Sequence, residues 1–373
     1  MDEITNSAPI QTNEADYQRR MNAATARVNA FLEKVKGHTF EPIPTGLIDI
    51  DKAIGGGMMR GQLVILGAAP GMGKTALATW IFSNLAKQRR PSIYLNLEMS
   101  PEQLMSRRFA AALAAAGCNL TPVDVLHGYA RTPEEWTAIE KAASEVIAVD
   151  AYMETPEKEI HTLTDILQFA ESQVAVQKKL TQDAPFLVVD YLQKIAGDPV
   201  ADKGLEKTAI IQRAISKLKD FALKNQTVVF LIVAHNRESN KNGRIAMESA
   251  RDTSDIEYTA DLKLGITYTA CLYPVGSTYR TPSDLNPDEK KFLTVQVTKA
   301  RFGEADATSH LYFDGAAMTF KQVGYEFIPI DAATGKTFEE WTGIKIDVKT
   351  GVTSGVERRN RPAARKTKVE FDA

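Results

Sequence analysis

The sequence of 373 residues predicts an α/β protein with a mostly parallel central sheet, antiparallel strands at the C-terminal side and a short N-terminal helix. Short apolar runs recur along the chain, and several are apolar throughout, as strands buried on both faces are. Helical patterns separate the early runs, which is the order expected for parallel strands. The last runs follow one another without such helices, which favours antiparallel pairing there.

The N-terminal segment, residues 1–43, is predicted to be an arm followed by one helix. Residues 1 to about 15 are polar and typical of a disordered arm. Over residues 16–36 apolar side chains recur at helical spacing, and Gly37 ends the pattern. Two interpretations of this helix are open: a packed surface element, or a helix that binds a neighbouring subunit.

The main domain is predicted over residues 44–325 and a C-terminal extension over residues 326–373. The predicted strands are residues 63–66, 93–97, 146–149, 186–189, 228–233, 262–266 and 293–297. Helices are predicted after Thr75, from Pro101, and around residues 133–146, 162–179 and 205–224. The end of the chain is basic, and composition leaves open whether it is a solvated disordered tail or an arm that touches phosphates.

Composition excludes several classes of protein. The hydrophobic share of 44% and the charged share of 25% are those of a soluble globular protein. A formal net charge of -2 means that any nucleic-acid contact must come from a local patch. The two cysteines, Cys118 and Cys271, provide neither a disulfide scaffold nor a zinc module. With no signal peptide and no apolar stretch near 20 residues, the sequence predicts a cytoplasmic protein without membrane contact.

A glycine-rich loop follows the first predicted strand of the main domain and reads Ala68-Ala69-Pro70-Gly71-Met72-Gly73-Lys74-Thr75. Small residues allow backbone N–H groups to close on phosphates, and the helix that begins after the loop adds positive potential at its N-terminus. In such a loop Lys74 reaches the β- and γ-phosphates and the Thr75 hydroxyl ligates Mg²⁺. The loop therefore predicts a site for ATP and Mg²⁺.

Two acidic residues follow later predicted strands. Asp190 ends the run at residues 186–189, where a carboxylate completes the Mg²⁺ site of many phosphate-binding loops. Glu98 follows the run at residues 93–97 and could orient or deprotonate an attacking water. It could equally be a solvent-facing residue before the helix at Pro101, so spacing leaves both interpretations of Glu98 open.

Seven stretches together resemble the C-terminal motor domain of DnaB-type replicative helicases of superfamily 4. They occur in the family's order and span about residues 44 to 320. The similar segments are residues 45–51, 68–75, 97–99 with 102–105, 190–193, 236–237, 251–252 with 260–262, and 299–303. Only about 43 residues precede these segments in the sequence, so we expect no counterpart of the family's separate N-terminal helical domain among them, and the helix at residues 16–36 resembles at most the family's linker helix.

The resemblance implies a RecA-like ATPase that forms a ring, usually a hexamer, with ATP held between subunits. Glu98 then corresponds to the family's water-activating glutamate. Lys299 and Arg301 correspond to the pair that reaches the neighbour's γ-phosphate, with Arg301 as the arginine finger. His235 is similar to the histidine that phage helicase-primases use as a γ-phosphate sensor, although a structural histidine at a strand end fits equally well.

The same resemblance implies a surface for single-stranded DNA. Arg251, Asp252 and Ser254 match the family's central-pore segment, with Ser254 where the family has glycine. Lys241 and Arg244 precede them among glycine and asparagine, as in a loop that grips phosphates. A plain solvated loop is the other interpretation, because no aromatic residue interleaves these charges.

The predicted function is ATP-driven 5′-to-3′ translocation along DNA and unwinding of the duplex, with a loader or primase as a possible partner. One alternative is a nucleotide-gated assembly ATPase similar to RecA, RadA or KaiC. Another is an ATPase of a mobile element or defence system whose ring serves a partner protein. The sequence leaves these three open.

Overall fold

The computed structural model describes residues 14–37, 41–129, 132–151, 153–154, 160–181, 184–234, 258–272, 274–275, 278–323, 345–346 and 353–354. The chain divides into two compact units, residues 1–43 and 44–373. The predicted three-part division, with its second boundary at residue 325, stays a prediction.

In the first unit, the described residues form one helix, α1, Glu14–Lys36. Acidic side chains lie in its first turn and lysines in its last, which suits the helix dipole at both ends. Its large apolar side chains are exposed: Tyr17, Met21, Val28, Phe31, Leu32 and Val35. Neither α1 nor any other helix in the described part of the chain is long and apolar enough to cross a membrane.

The second unit alternates helices and strands in its first two thirds. The helices are α2 Ile48–Ala53, α3 Lys74–Lys87, α4 Pro101–Ala115, α5 Pro122–His127, α6 Pro133–Asp150, α7 Leu163–Thr181 and α8 Lys207–Asn225. The strands are β1 Leu63–Ala68, β2 Ser92–Asn96, β3 Met153–Glu154, β4 Phe186–Asp190, β5 Val229–Ala234, β6 Leu262–Tyr268, β7 Pro274–Val275, β8 Thr278–Tyr279, β9 Phe292–Ala300, β10 Thr308–Asp314, β11 Thr319–Val323, β12 Lys345–Ile346 and β13 Thr353–Ser354.

Nine of these strands form one sheet in the order β11-β10-β9-β6-β1-β5-β4-β2-β3. The six strands from β6 to β3 run parallel, and β9, β10 and β11 continue the sheet with antiparallel pairing. The predicted fold class, mostly parallel with antiparallel strands added late, is confirmed.

Helices cover both faces of the parallel part of the sheet, which explains why its strands are apolar throughout. On one face α7 and α8 pack Ile166 and Leu218 into a cluster with Ile65 and other strand residues. On the opposite face Phe82 of α3 places its ring 5.2 Å from the ring of Phe230. All six residues of β1 are buried, so the strand that carries the glycine-rich loop lies in the centre of the core.

The prediction of a strand at residues 146–149 is wrong, because these residues belong to α6. The helix begins at a capping box between Thr132 and Glu135, with Pro133 in the first turn. Val146 and Val149 are buried at helical spacing from Ala142. A short apolar run does not distinguish a buried helix turn from a strand, and the strand of this region is the two-residue β3 that follows.

Candidate nucleotide site

The predicted phosphate-site residues lie at one edge of the sheet, where the parallel strands end. β1 runs into the glycine-rich loop, β4 ends at Asp190, and β2 ends two residues before Glu98. Ligands of open α/β sheets bind outside the carboxyl ends of the strands. The loop, Asp190 and Glu98 line a common pocket of about 430 Å³.

The loop has the backbone geometry of an anion cradle. Gly71 and Gly73 have φ of 80° and 75°, a region that only glycine adopts without strain. The N-terminus of α3 has no side-chain cap and no acidic residue in its first turn. Its first N–H groups are therefore available to phosphate oxygens, and the helix dipole favours negative charge at this point.

The ammonium of Lys74 lies against the backbone of its own glycine-rich loop. Its ammonium donates to the carbonyls of Ala68 and Ala69, at 2.9 and 3.0 Å. Burial lowers the pKa of Lys74, and the nearby carboxylates of Asp190 and Glu98 act in the opposite direction. The lysine is thus held by two neutral carbonyls and can exchange them for anionic oxygens, which bind an ammonium more strongly.

Asp190 is almost fully buried, with 1% of its surface exposed. Burial raises its pKa to about 6, while hydrogen bonds with the hydroxyls of Thr75 and Tyr94 lower it. The Tyr94 hydroxyl donates to Oδ2 at 3.1 Å and itself accepts from Thr79 at 3.3 Å. The carboxylate is therefore oriented through one oxygen.

The other oxygen of Asp190 fits a divalent cation. Oδ1 is buried and has no hydrogen-bond partner among the described residues. Protein Mg²⁺ sites typically use one or two protein oxygens and complete their shell with water and substrate phosphates. The same part of the chain holds no cluster of three or more His, Cys, Asp or Glu that could bind a metal. The Thr75 hydroxyl and Asp190 Oδ1 are the oxygens suited to this role.

Glu98 lies on an ordered turn between β2 and α4. The side chain of Asn96 accepts hydrogen bonds from the backbone N–H groups of Glu98 and Met99, at 3.1 and 3.0 Å. On the other side Ser100 and Gln103 form the predicted capping box of α4. The turn is fixed at both ends, so the exposed carboxylate of Glu98 stands on rigid backbone at the pocket wall.

Lys299 and Arg301 lie at the opposite edge of the sheet. Arg301 donates to Oδ1 of Asp261 at 2.9 Å, and Oδ2 of Asp261 accepts the N–H of Leu63, the first residue of β1. The carbonyl of Tyr258 accepts from Arg301 at 2.7 Å and from Lys299 at 3.4 Å. The six residues of β1, at about 3.3 Å each, separate this edge from the loop by roughly 20 Å.

The remaining predicted site residues lie outside the described part of the chain. They are the sensor candidate His235 and the nucleic-acid candidates Lys241, Arg244, Arg251, Asp252 and Ser254. Their roles stay predictions.

Four residues of the pocket wall were given no role from the sequence: Arg107, Tyr191, Phe313 and Met318. Arg107 lies two turns into α4, outside the segments that resemble the family. Tyr191 directly follows Asp190 and lies in the similar segment 190–193, but the pattern assigned it no function. Phe313 and Met318 come from β10 and the turn after it. Because they are more than 200 residues from the loop in sequence, only the folded sheet shows that they belong to the pocket.

The fold and this pocket define a P-loop nucleotide-binding domain of the RecA-like class. Residues 42–322 match the family model described as the DnaB-like helicase C terminal domain, and the chain belongs to this family.

Similar proteins agree with this assignment. The chain is 32% identical to the replicative DNA helicase DnaB of Treponema pallidum (strain Nichols) over 178 residues, which cover 47% of this chain and 37% of that protein. It is 26% identical to the replicative DNA helicase DnaC of Bacillus subtilis (strain 168) over 274 residues, which cover 72% of this chain and 54% of that protein. The chain thus spans about half, or less, of these curated relatives.

Two solved structures share the fold. One is an ATPase domain, which aligns with a TM-score of 0.64 at 18% identity, covering 82% of this chain and 99% of that one. The other is a DnaB-like replicative helicase, solved in a study of its interactions with primase. It aligns with a TM-score of 0.62 at 19% identity, covering 79% of this chain and 65% of that one.

Proposed function

We propose that this chain is the ATP-driven motor of a DnaB-type DNA helicase, working as a ring on single-stranded DNA. One observation supports this most: the phosphate loop, Asp190 and Glu98 lie at one edge of the sheet, and the basic pair at the other. A subunit that carries two halves of a site on opposite edges completes the site by head-to-tail association, and such contacts generate rings when the rotation closes.

In this mechanism Lys74 and the loop N–H groups bind the β- and γ-phosphates, and Thr75 and Asp190 hold Mg²⁺. When bound, Mg²⁺ neutralises charge that develops on the phosphates. Glu98 orients the attacking water and accepts its proton. Arg301, with Lys299, enters from the neighbouring subunit and stabilises the transferring phosphoryl group.

The proposal includes features that rest on the sequence and on the family resemblance. The ring is a hexamer, movement is 5′ to 3′, and Arg251, Asp252, Ser254, Lys241 and Arg244 contact the DNA backbone. A loader or a primase is the expected partner, and the working compartment is the cytoplasm. His235 is proposed as the γ-phosphate sensor.

Unwinding of forked DNA tests the motor proposal. We expect ATP-dependent strand separation, and ATP turnover that rises when single-stranded DNA is added. DNA binding should weaken with salt at about -0.7 log units per phosphate contact. A DNA affinity that does not change with salt concentration would contradict the proposed contacts with the DNA backbone. Binding without unwinding would favour the nucleotide-gated assembly ATPase, and turnover indifferent to DNA would favour a ring that serves a partner protein.

The raised pKa of Asp190, about 6, predicts a pH dependence of Mg²⁺ binding. A metal binds the ionised carboxylate. As pH falls through 6 the carboxyl of the free protein takes up a proton, so the proton competes with Mg²⁺. At pH 5 the apparent Mg²⁺ affinity should be about tenfold lower than at pH 8, from this group alone.

Titrating Mg²⁺ against a fluorescent ATP analogue bound to the protein, from pH 5 to pH 8, measures this effect. Asp190→Asn is the control, because its side chain does not titrate and only the pH dependence of the nucleotide itself remains. Identical pH profiles for the two proteins would show that the Asp190 carboxylate does not hold the metal.

The aromatic wall of the pocket predicts where the nucleoside binds. Phe313 stacks on Phe320 with ring centroids 4.5 Å apart and an interplanar angle of 19°. Because a parallel stack occupies one ring face, the other face of Phe313 can receive the base; Arg107 lines the same pocket. Phe313→Ala should weaken ATP binding by about 0.5–1.5 kcal/mol, or roughly two- to twelvefold.

Competition with tripolyphosphate, which has no base, separates the two ends of the pocket. Its affinity should be unchanged in Phe313→Ala. Tyr312→Ala is the matched control, since neighbouring residues of a strand point to opposite faces, and it should leave ATP binding unchanged. An equal loss for ATP and for tripolyphosphate would rule out a stacking role.

A further inference from the structure

Asp261 connects the beginning of β1 to Arg301 through four hydrogen bonds. Its N–H donates to the carbonyl of Leu63 at 3.0 Å, and its Oδ2 accepts the N–H of Leu63 at 2.7 Å. On its other side its carbonyl accepts the N–H of Arg301 at 2.8 Å, and its Oδ1 accepts the Arg301 guanidinium at 2.9 Å. Arg301 is therefore tied, through one residue, to the strand that carries the phosphate loop at its far end.

The two carboxylate oxygens of Asp261 have different partners. Oδ2 receives the N–H of Leu63 and the ammonium of Lys219 at 2.6 Å, and Lys219 also donates to the carbonyl of Gly61 at 2.7 Å. These contacts join α8 to the start of β1. Oδ1 receives the guanidinium of Arg301. One oxygen therefore serves the packing of the sheet and the other orients the arginine.

Arg301 is held without being buried. Its side chain is 45% exposed, whereas that of Asp261 is 5% exposed. A guanidinium has five N–H donors, and the contacts to Asp261 and to the carbonyl of Tyr258 use one donor on each terminal nitrogen. An arginine fixed through part of its donor set keeps its direction while it can still bind an anion.

We propose that Asp261 is the positioning residue for Arg301, and that it sets the direction in which the guanidinium leaves its subunit towards the neighbour's nucleotide. The proposal rests on the trans role of Arg301 given above. It assigns Asp261 an effect on the active site of the next subunit, roughly 20 Å from the phosphate loop of its own.

Asp261→Asn separates the two roles of the carboxylate. The position of Oδ2 faces two donors, the Leu63 N–H and the Lys219 ammonium. The amide oxygen will occupy that position, and the amide NH₂ will then face the guanidinium, donor against donor. The strand contacts survive and the orientation of Arg301 is lost. We expect turnover to fall by up to about 10²-fold, the cost of a misplaced catalytic group, with ATP affinity unchanged.

Mixed oligomers show in which subunit the defect lies. Asp261→Asn subunits are assembled together with Glu98→Ala subunits, which cannot activate water but carry an intact Arg301. Where a Glu98→Ala subunit lends its arginine to an Asp261→Asn active site, all groups are present. We expect turnover well above the sum of the two parents. Turnover equal to that sum would overturn the proposal, because it would place the defect in the variant's own site or fold.

Arg301→Ala, tested in the same mixture, shows which proposal has failed: the positioning role of Asp261 or the trans role of Arg301. Recovery for Arg301→Ala without recovery for Asp261→Asn overturns the positioning role alone. No recovery for Arg301→Ala overturns the trans arginine itself. If Asp261→Asn does not fold, Asp261→Glu takes its place, since it keeps the charge and displaces the carboxylate by one methylene, and the same recovery is required.

Lys219→Met is the structural control. It removes the ammonium from Oδ2 of Asp261 and from the Gly61 carbonyl, and leaves the contact between Oδ1 and Arg301 in place. We expect a lower melting temperature and turnover close to that of the unmodified protein. A loss of turnover as large as that of Asp261→Asn would overturn the assignment, because the packing of β1 and α8 would then explain both variants.

Discussion

Lys74→Ala is expected to abolish ATP turnover, lowering it by at least about 10²–10³-fold, the range found when one stabilising donor is removed from a preorganised site. In the described structure the ammonium lies within 2.9 Å of the Ala68 carbonyl, inside the phosphate loop. Lys74 is the basic residue of the loop, and its ammonium provides the positive charge for the β- and γ-phosphates. Alanine would leave the loop N–H groups and the helix dipole to bind the phosphates, but it would remove the ammonium charge that stabilises the charge developing during transfer.

Phosphate release from purified protein with saturating ATP and Mg²⁺ measures this effect. Lys87→Ala is the matched control, because Lys87 ends the same helix and, among the described residues, forms an exposed ion pair with Glu145 at 3.6 Å. Exposed pairs contribute little, so this control should retain turnover. Turnover in Lys74→Ala that equals that of the control would mean that ATP is not hydrolysed in this pocket.

The sequence predicted the parallel strands well because burial on both faces leaves a strong signal. β1, β4 and β5 are apolar almost throughout, and each lies where an apolar run was predicted. The same signal failed at residues 146–149, where a helix turn buries Val146 and Val149 with a similar local composition. The capping box at Thr132 marks the start of that helix, but no equally clear signal marks its end.

The site likewise combines residues that are adjacent in the sequence with residues that are far apart in it. The glycine-rich loop is a run of adjacent residues, so the sequence alone could single it out, and the structure adds the positive φ angles of Gly71 and Gly73. The pocket wall formed by Phe313 could not be predicted, because Phe313 lies in β10, which β9 and β6 separate from β1 in the sheet, and the sequence does not show that its side chain lines the pocket. The hydrogen bonds that orient Asp190 were also missed, since Tyr94 looks like one more apolar strand residue until its hydroxyl is seen to meet a carboxylate.

Some of the resemblance concerns folding and not chemistry. In the segment at residues 45–51, Asp51 accepts hydrogen bonds from the N–H and hydroxyl of Thr45 and from the N–H of Gly46, at 2.8, 2.8 and 3.0 Å. Burial raises the pKa of Asp51, and these bonds act against that shift. The motif therefore closes a turn before β1. A family motif can mark a residue needed for folding as well as one needed for catalysis, and the contacts of Asp51 indicate a role in folding.

Arg301→Ala should lower turnover by about 10³–10⁵-fold, the range for arginine fingers, while ATP still binds. The loop, Asp190 and Glu98 would all remain in place, so nucleotide affinity depends on groups at the other edge of the sheet. Arg60→Ala removes an equal charge near the start of β1, where Arg60 donates to the carbonyl of Gln226 at 3.3 Å. This control should hydrolyse ATP normally.

The location of the loss is the stronger test, because an arginine that acts within its own subunit gives the same first result. Mixing Arg301→Ala subunits with Glu98→Ala subunits should restore part of the turnover, since some interfaces then combine an intact Glu98 with an intact Arg301. A cis arginine gives no recovery, because neither parent contains a complete site. Normal hydrolysis by Arg301→Ala, or full activity from a monomer, would contradict the shared site. Recovery would mean that each subunit's turnover depends on its neighbour, which is the coupling that a ring motor requires.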